Sequence, residues 1–303
     1  MRASFLPEIY LSIYLRGVNF KLSPRQRSLP PTMASSSLQR GDRLAASGQL
    51  EAALPHYDRA VSLQPSAAPA RQRLCHALAQ IGRTTEAIGC CTEALEATAA
   101  TSATAARASL GSQHASFFHA LLGESLAAAS HPLRAARSFR RAAALQPASA
   151  DMALNAGLSF KAAARHAEAA ASLRAAARLT PRDAPTHTAL ATALEAMGEL
   201  SEAVAARRRA AALLPTVAAA HGELGHALLA AGRAAEAAAA HGRALTLSPR
   251  LAEAYFGTAQ ALLGLRDPHR AQRAFVTAAT LAPYPYPYPY PYPYPCPYPC
   301  PCP

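Results

Sequence analysis

The side chains of this chain that could do chemistry are histidines, cysteines and carboxylates, and their spacing decides between catalysis, metal binding and packing. His119, His187 and His221 recur at multiples of one 34-residue interval. A role repeated that regularly is a packing role rather than a catalytic one. His221 and His226 are five residues apart, which does not set two ligands on one helical face, so no metal site is expected. The six cysteines are Cys75, the adjacent Cys90 and Cys91, and Cys296, Cys300 and Cys302 near the end. Neighbouring helical cysteines are badly oriented for a bridge. The cysteines therefore give no disulfide framework, and a reducing compartment is expected. Asp42, Glu124, Asp151, Glu195, Glu223 and Glu253 stand singly, without the paired-carboxylate setting of an acid–base site. The chain also lacks a Gly-rich phosphate loop, a nucleophile elbow and a metalloprotease motif. These residues predict no enzyme and no cofactor, and point instead to polar groups that recognise a partner.

What must position them is a repeat. Pro147, Pro181, Pro215, Pro249 and Pro283 are each 34 residues apart. An earlier copy ends at Pro65, and a damaged one would end near Ala99. Pro65 and Pro147 are separated by 82 residues, 14 more than two periods. Twelve residues before each closing position stands alanine (Ala53, Ala87, Ala135, Ala169, Ala203, Ala237, Ala271), and five before it alanine again, from Ala60 to Ala278. Twenty-one before it is large and apolar: Leu44, Leu78, Leu126, Phe160, Leu194, Leu228 and Leu262. Twenty-four before it is small: Gly41, Cys75, Gly123, Gly157, Ala191, Gly225 and Ala259. Small residues at one phase let helix backbones approach, and large ones fill the adjacent gap. Gly48, Gly82, Gly198 and Gly232 break the pattern between two helical runs, where a left-handed residue ends a helix. Period and content together specify stacked helix pairs.

In this small–large–Ala–Ala–Pro register the chain resembles the tetratricopeptide repeat family over residues 34–283. The resemblance implies an all-α, right-handed superhelical solenoid of seven helix–turn–helix repeats, with the first helix of each repeat lining a concave groove. The family's early aromatic slot is poorly kept, holding Ser37, Arg71, His119, Ala153, His187, His221 and Tyr255. Eight residues before the proline, Tyr57, Cys91, Phe139 and Leu173 fit the pattern, whereas Arg207 and His241 do not. Repeats five and six are therefore expected to pack most weakly. A carboxylate clamp for chaperone peptides is absent, because its faces offer Asp42, Gln72, Arg73, His76 and Glu124. An asparagine ladder is absent too, since Asn155 is followed at its phase by Ala189 and Glu223.

The expected function is that of a non-catalytic protein–protein interaction scaffold that binds a neutral or basic peptide segment in its groove. The expected lining is Asp42, Arg73, Glu124, Asp151, Asn155, Glu195, Glu223, His226, Glu253 and Phe256. The alternative, from another class, is the substrate-recognition arm of a larger transferase- or hydroxylase-type enzyme whose catalytic domain is absent from this chain. It draws on the habit of such arrays to precede catalytic domains and on the array's end in a low-complexity tract. The formal charge is +12, but most arginines fall on second helices and turns, over a mildly acidic groove. Nucleic acid wants a continuous basic surface, so the partner is expected to be an unidentified protein or peptide.

The remaining segments set the boundaries: a leader over 1–33, repeats one and two over 34–99, an Ala/Ser/Thr-rich insertion over 100–115, repeats three to seven over 116–283, and a Pro-Tyr/Pro-Cys tail over 284–303. The leader reads either as a transit peptide or as translated upstream sequence before a start at Met33. The corresponding locations are mitochondrion or plastid in the first case and cytoplasm in the second. Its apolar run is too short to span a bilayer. Proline at alternate positions of the tail excludes helix and sheet ladders. Both ends are expected to be disordered.

Overall fold

A computed structural model describes residues 33–65, 67–101 and 105–281, so the leader over 1–32 and the Pro-Tyr tail lie outside the described residues. The described residues form fourteen α-helices in two compact units divided between Ile81 and Gly82. The first unit holds α1 (Met33–Ala46), α2 (Leu50–Leu63) and α3 (Ala68–Ile81). Its core is Ala53, Tyr57 and Ala77, with Leu38, Leu44, Leu50, Leu54 and Leu74 packed around them.

The second unit runs from α4 (Thr84–Thr101) and α5 (Ala105–Ala128) through α6 (Pro132–Leu145), α7 (Ala150–Ala162), α8 (His166–Leu179), α9 (Ala184–Met197) and α10 (Leu200–Leu213). It ends with α11 (Ala218–Ala230), α12 (Ala234–Leu247), α13 (Ala252–Gly264) and α14 (Pro268–Leu281). Each helix packs on the next in the chain, and the first helices of successive repeats also touch, α7 on α9 and α11 on α13. Contact only with near neighbours is the signature of a solenoid. The extra residues after repeat two are carried by long helices, since α4 has 18 residues and α5 has 24.

Every turn between paired helices uses one left-handed residue, whatever its type. Gly48, Gly82, Gly198 and Gly232 have φ between +73° and +85°. In the same slot of the other repeats Ser130, Ala164 and Arg266 have φ of 61°, 56° and 60°. The residue that follows it closes the motif by bonding back to the large apolar slot, as in Arg165 N–H to Phe160 O at 2.9 Å and Glu199 N–H to Leu194 O at 3.0 Å. That bond is the Schellman closure. A side chain in left-handed backbone costs about 1–2 kcal/mol, partly offset by glycine's larger unfolded-state entropy. Ala164→Gly is therefore expected to stabilise the α7–α8 pair by about 0.5–1 kcal/mol, read as a rise in denaturant midpoint.

The structure changes the packing partner expected from the sequence. The gap over Gly41, Gly123, Gly157 and Gly225 is filled from the second helix, by the side chain eight before the proline, and not by the large residue three positions along the same helix. A Cβ on Gly41, Gly123, Gly157 or Gly225 would run into Tyr57, Phe139, Leu173 or His241 respectively. Arg207 and His241 occupy that slot too, at 8% and 0% exposure.

Candidate functional site

Three groups of side chains, each containing expected site residues, show what the helices do with their charges. In the first unit Asp42 on α1 is met by Arg73 on α3, with Nε 3.0 Å from Oδ1. Tyr57 on α2 donates its hydroxyl hydrogen to the same oxygen at 3.1 Å. Burial first, and then Asp42, push the Tyr57 hydroxyl well above the usual tyrosine range. These three residues with Leu50, His76 and Gln80 line a cavity of about 330 Å³. His76 is held below its ordinary range by burial and then by Arg73, so it is neutral at physiological pH.

In the second unit Arg207 on α10 ties three helices together. Its Nε reaches Glu195 Oε1 on α9 at 3.0 Å and its Nη2 reaches Glu195 Oε2 at 3.1 Å, a bidentate fork. Its Nη1 reaches Glu223 Oε2 on α11 at 2.5 Å. Two of the expected groove acids are thus held by one buried guanidinium. A charge-reversing exchange of Asp151, Glu195 and Glu223 for lysine, the direct test of groove polarity from sequence, would break this network before it reported on a partner.

Farther along, His226 on α11 lies 3.4 Å from Glu253 on α13. Glu253 is held below its usual range by the hydrogen bond from His226. The His226 ring meets His241 of α12 edge to face, with centroids 4.9 Å apart. His241 sits between Gly225 and Gly257, where any side chain at either glycine would strike its ring. Both its ring nitrogens are buried without a hydrogen-bond partner. Burial, then the neighbouring His226, hold its imidazole down at about 4. Phe256 packs edge to face on Phe275, with centroids 5.4 Å apart.

The other expected residues stand apart from these networks. Asp151 is exposed in the first turn of α7, and Asn155 is half-buried on the same helix. Glu124 is half-buried on α5, and burial raises its carboxyl to about 7. The nearby Cys91 thiol is buried and free, pushed up to about 12 by burial and then by Glu124.

Sequence reading missed two devices. His187 and His221 each bond through Nε2 to the carbonyl of the preceding repeat's proline, Pro181 at 3.0 Å and Pro215 at 3.1 Å. Arg71 does the same to Pro65 at 3.0 Å. The aromatic slot thus holds donors that cap the inter-repeat turn, a signal present in its recurring histidines. The second device is a ladder across second helices, Arg174 to Glu202 at 2.6 Å and Arg208 to Glu236, both spanning 28 residues. These pairs are exposed and worth about 0–1 kcal/mol each.

The expectation that the cysteines give no disulfide framework is corrected: Cys75 and Cys90 each take part in a disulfide. The geometric objection held only for the adjacent Cys90 and Cys91, and the cysteines no longer favour a reducing compartment. Among the described residues no group of three or more His, Cys, Asp or Glu side chains could hold a metal ion, and no helix is long and apolar enough to cross a membrane.

Two family models, both described as tetratricopeptide repeat, match residues 44–110 and 121–184. No curated protein sequence matches. Among solved structures, the C-terminal part of a repeat protein from Cytophaga hutchinsonii aligns with a TM-score of 0.62 at 16% identity, over 81% of this chain and 95% of its own. MamA aligns at 0.52 and 21% identity, over 55% of this chain and 91% of its own. YrrB, described as having an unusual peptide-binding site, aligns at 0.50 and 19% identity, over 55% of this chain and 86% of its own. At these identities the likeness is one of fold.

Proposed function

The chain belongs to the tetratricopeptide repeat family, generally a protein–protein interaction module, and from that premise we propose that it is a non-catalytic scaffold whose first helices hold a peptide segment of a partner protein. The observation that carries this reading is the side-by-side contact of first helices in the second unit, α7 with α9 and α11 with α13. Asp151 and Asn155 stand on α7, Glu195 on α9, Glu223 and His226 on α11, and Glu253 and Phe256 on α13, a distribution over first helices that supports this reading. Asp42 and Arg73 occupy first helices of the first unit. Repeated polar positions on a rigid frame give register and selectivity, while shape supplies most of the holding.

The internal ion pairs refine the expected preference. Asp42 spends its charge on Arg73, and Glu195 and Glu223 spend theirs on Arg207. A largely neutral segment suits such a surface better than a strongly basic one, because the compensated acids offer little net field.

A photo-crosslinking amino acid tests the placement. At Asp151, on a first helix, it should yield a discrete protein adduct in extract from the native source. At Arg209, exposed on the second helix α10, it should yield little. Adducts formed equally from both positions, or from Arg209 alone, would move the binding surface off the first helices.

A further inference from the structure

Glu124 differs from the other acids placed on first helices. Glu195 and Glu223 are held by Arg207, and Glu253 by His226. Asp151 stands in solvent at a helix start, where the dipole already favours it. Glu124 is half-buried, yet among the described residues its only resolved influence is loss of water, with no cation beside it.

The repeat register shows why. Glu124 stands 23 residues before its closing proline, as Asp42 does before Pro65 and His226 before Pro249. At those two places the residue filling the slot from the second helix is a polar ring: Tyr57 donates to Asp42, and His241 packs on His226. In the repeat of Glu124 that slot holds Phe139, over Gly123, and phenylalanine has no donor. The position that supplies Arg73 to Asp42 from the following repeat is here Asn155, 26 residues before Pro181, which carries no charge.

We propose that Glu124 is the specificity-determining residue of the first-helix face, accepting a lysine or arginine side chain of the bound peptide. The proposal rests on the scaffold reading above. A carboxylate stripped of water is unfavourable until a cation joins it, and an ammonium or guanidinium group brings both the opposite charge and the missing donors. The raised carboxyl is the sign of that missing partner, and Cys91, uncharged at neutral pH, does not compete for the cation. Such a contact, on a surface where Asp42, Glu195 and Glu223 are already paired, selects a basic residue in a mainly neutral segment.

The test is selection of a randomised peptide display library on the full chain and on the isosteric variant Glu124→Gln. The expected result is enrichment of lysine or arginine at one fixed position with the native chain, and its loss with E124Q. A lysine peptide chosen by the native chain should bind E124Q about tenfold more weakly, equivalent to about 1.4 kcal/mol. Its counterpart with norleucine for lysine should bind both proteins alike, which also shows that the variant is folded. Peptides selected without a basic position, or a basic preference that survives in E124Q, would overturn the role of Glu124 and leave the scaffold reading standing. Failure of either protein to select any peptide would overturn both.

Discussion

Replacing Arg207 by alanine is expected to destabilise α9–α11 by about 3 kcal/mol, the low end of the range for breaking a buried ion pair from one side. The loss has two parts. Two carboxylates that shared one guanidinium lose it, and a buried side chain is removed from between the helices. The low end applies because Glu195 and Glu223 keep part of their exposure, at 28% and 46%, against 10% for the arginine side chain. The informative comparison is the triple variant Arg207→Leu, Glu195→Gln, Glu223→Gln. Leucine fills the equivalent slot at Leu173, so this variant should recover most of the loss. Chemical denaturation of the three proteins, with amide exchange of α9 to α11, reads both effects. A single variant no less stable than the native chain would mean that the network holds nothing together.

His241→Phe is expected to remove an acid sensitivity from the end of the array. The folded imidazole lies at about 4, against about 6.5 for an unperturbed histidine. Between these values the unfolded chain binds the proton and the folded chain does not, so stability falls as pH drops from about 6.5 toward 4. The difference corresponds to about 3 kcal/mol, felt in α11–α13, where His226 and Glu253 face the same ring. Phenylalanine keeps the ring that Gly225 and Gly257 make room for and has no nitrogens to leave unsatisfied. The variant should lose its protection far less steeply over that window, and at neutral pH it should equal or exceed the native chain. The measurement is amide exchange of α11–α13 as a function of pH, because a repeat array opens locally and a single melting temperature would blur the effect. Equal slopes for the two proteins would show that His241 stays neutral at no cost to the fold.

Much of this molecule was legible in the chain. The closing prolines, the two alanine slots and the small residues gave the helices, their pairing and the family. Glycine at Gly48, Gly82, Gly198 and Gly232 located four of the turns, whereas the left-handed Ser130, Ala164 and Arg266 came only from the structure. The pattern was less informative about sites. Arg207 and His241 read as misfits to an apolar slot, and pattern matching cannot show that Arg207 meets two acids there. The acids read as a line of free charge, because ion pairing between residues 12 or 16 positions apart leaves no mark in composition.

What the sequence by itself determined is the architecture: a 34-residue period recurs because every repeat must bury the same face on the same neighbour, and that constraint is written position by position. What only the tertiary structure decided is how its polar residues are used. Asp42, Glu195, Glu223 and Glu253 are held by Arg73, Arg207 and His226, and among the described residues Glu124 has no cation beside it. Charge compensation depends on distances of about 3 Å between side chains from different helices, and those distances exist only once the helices have packed.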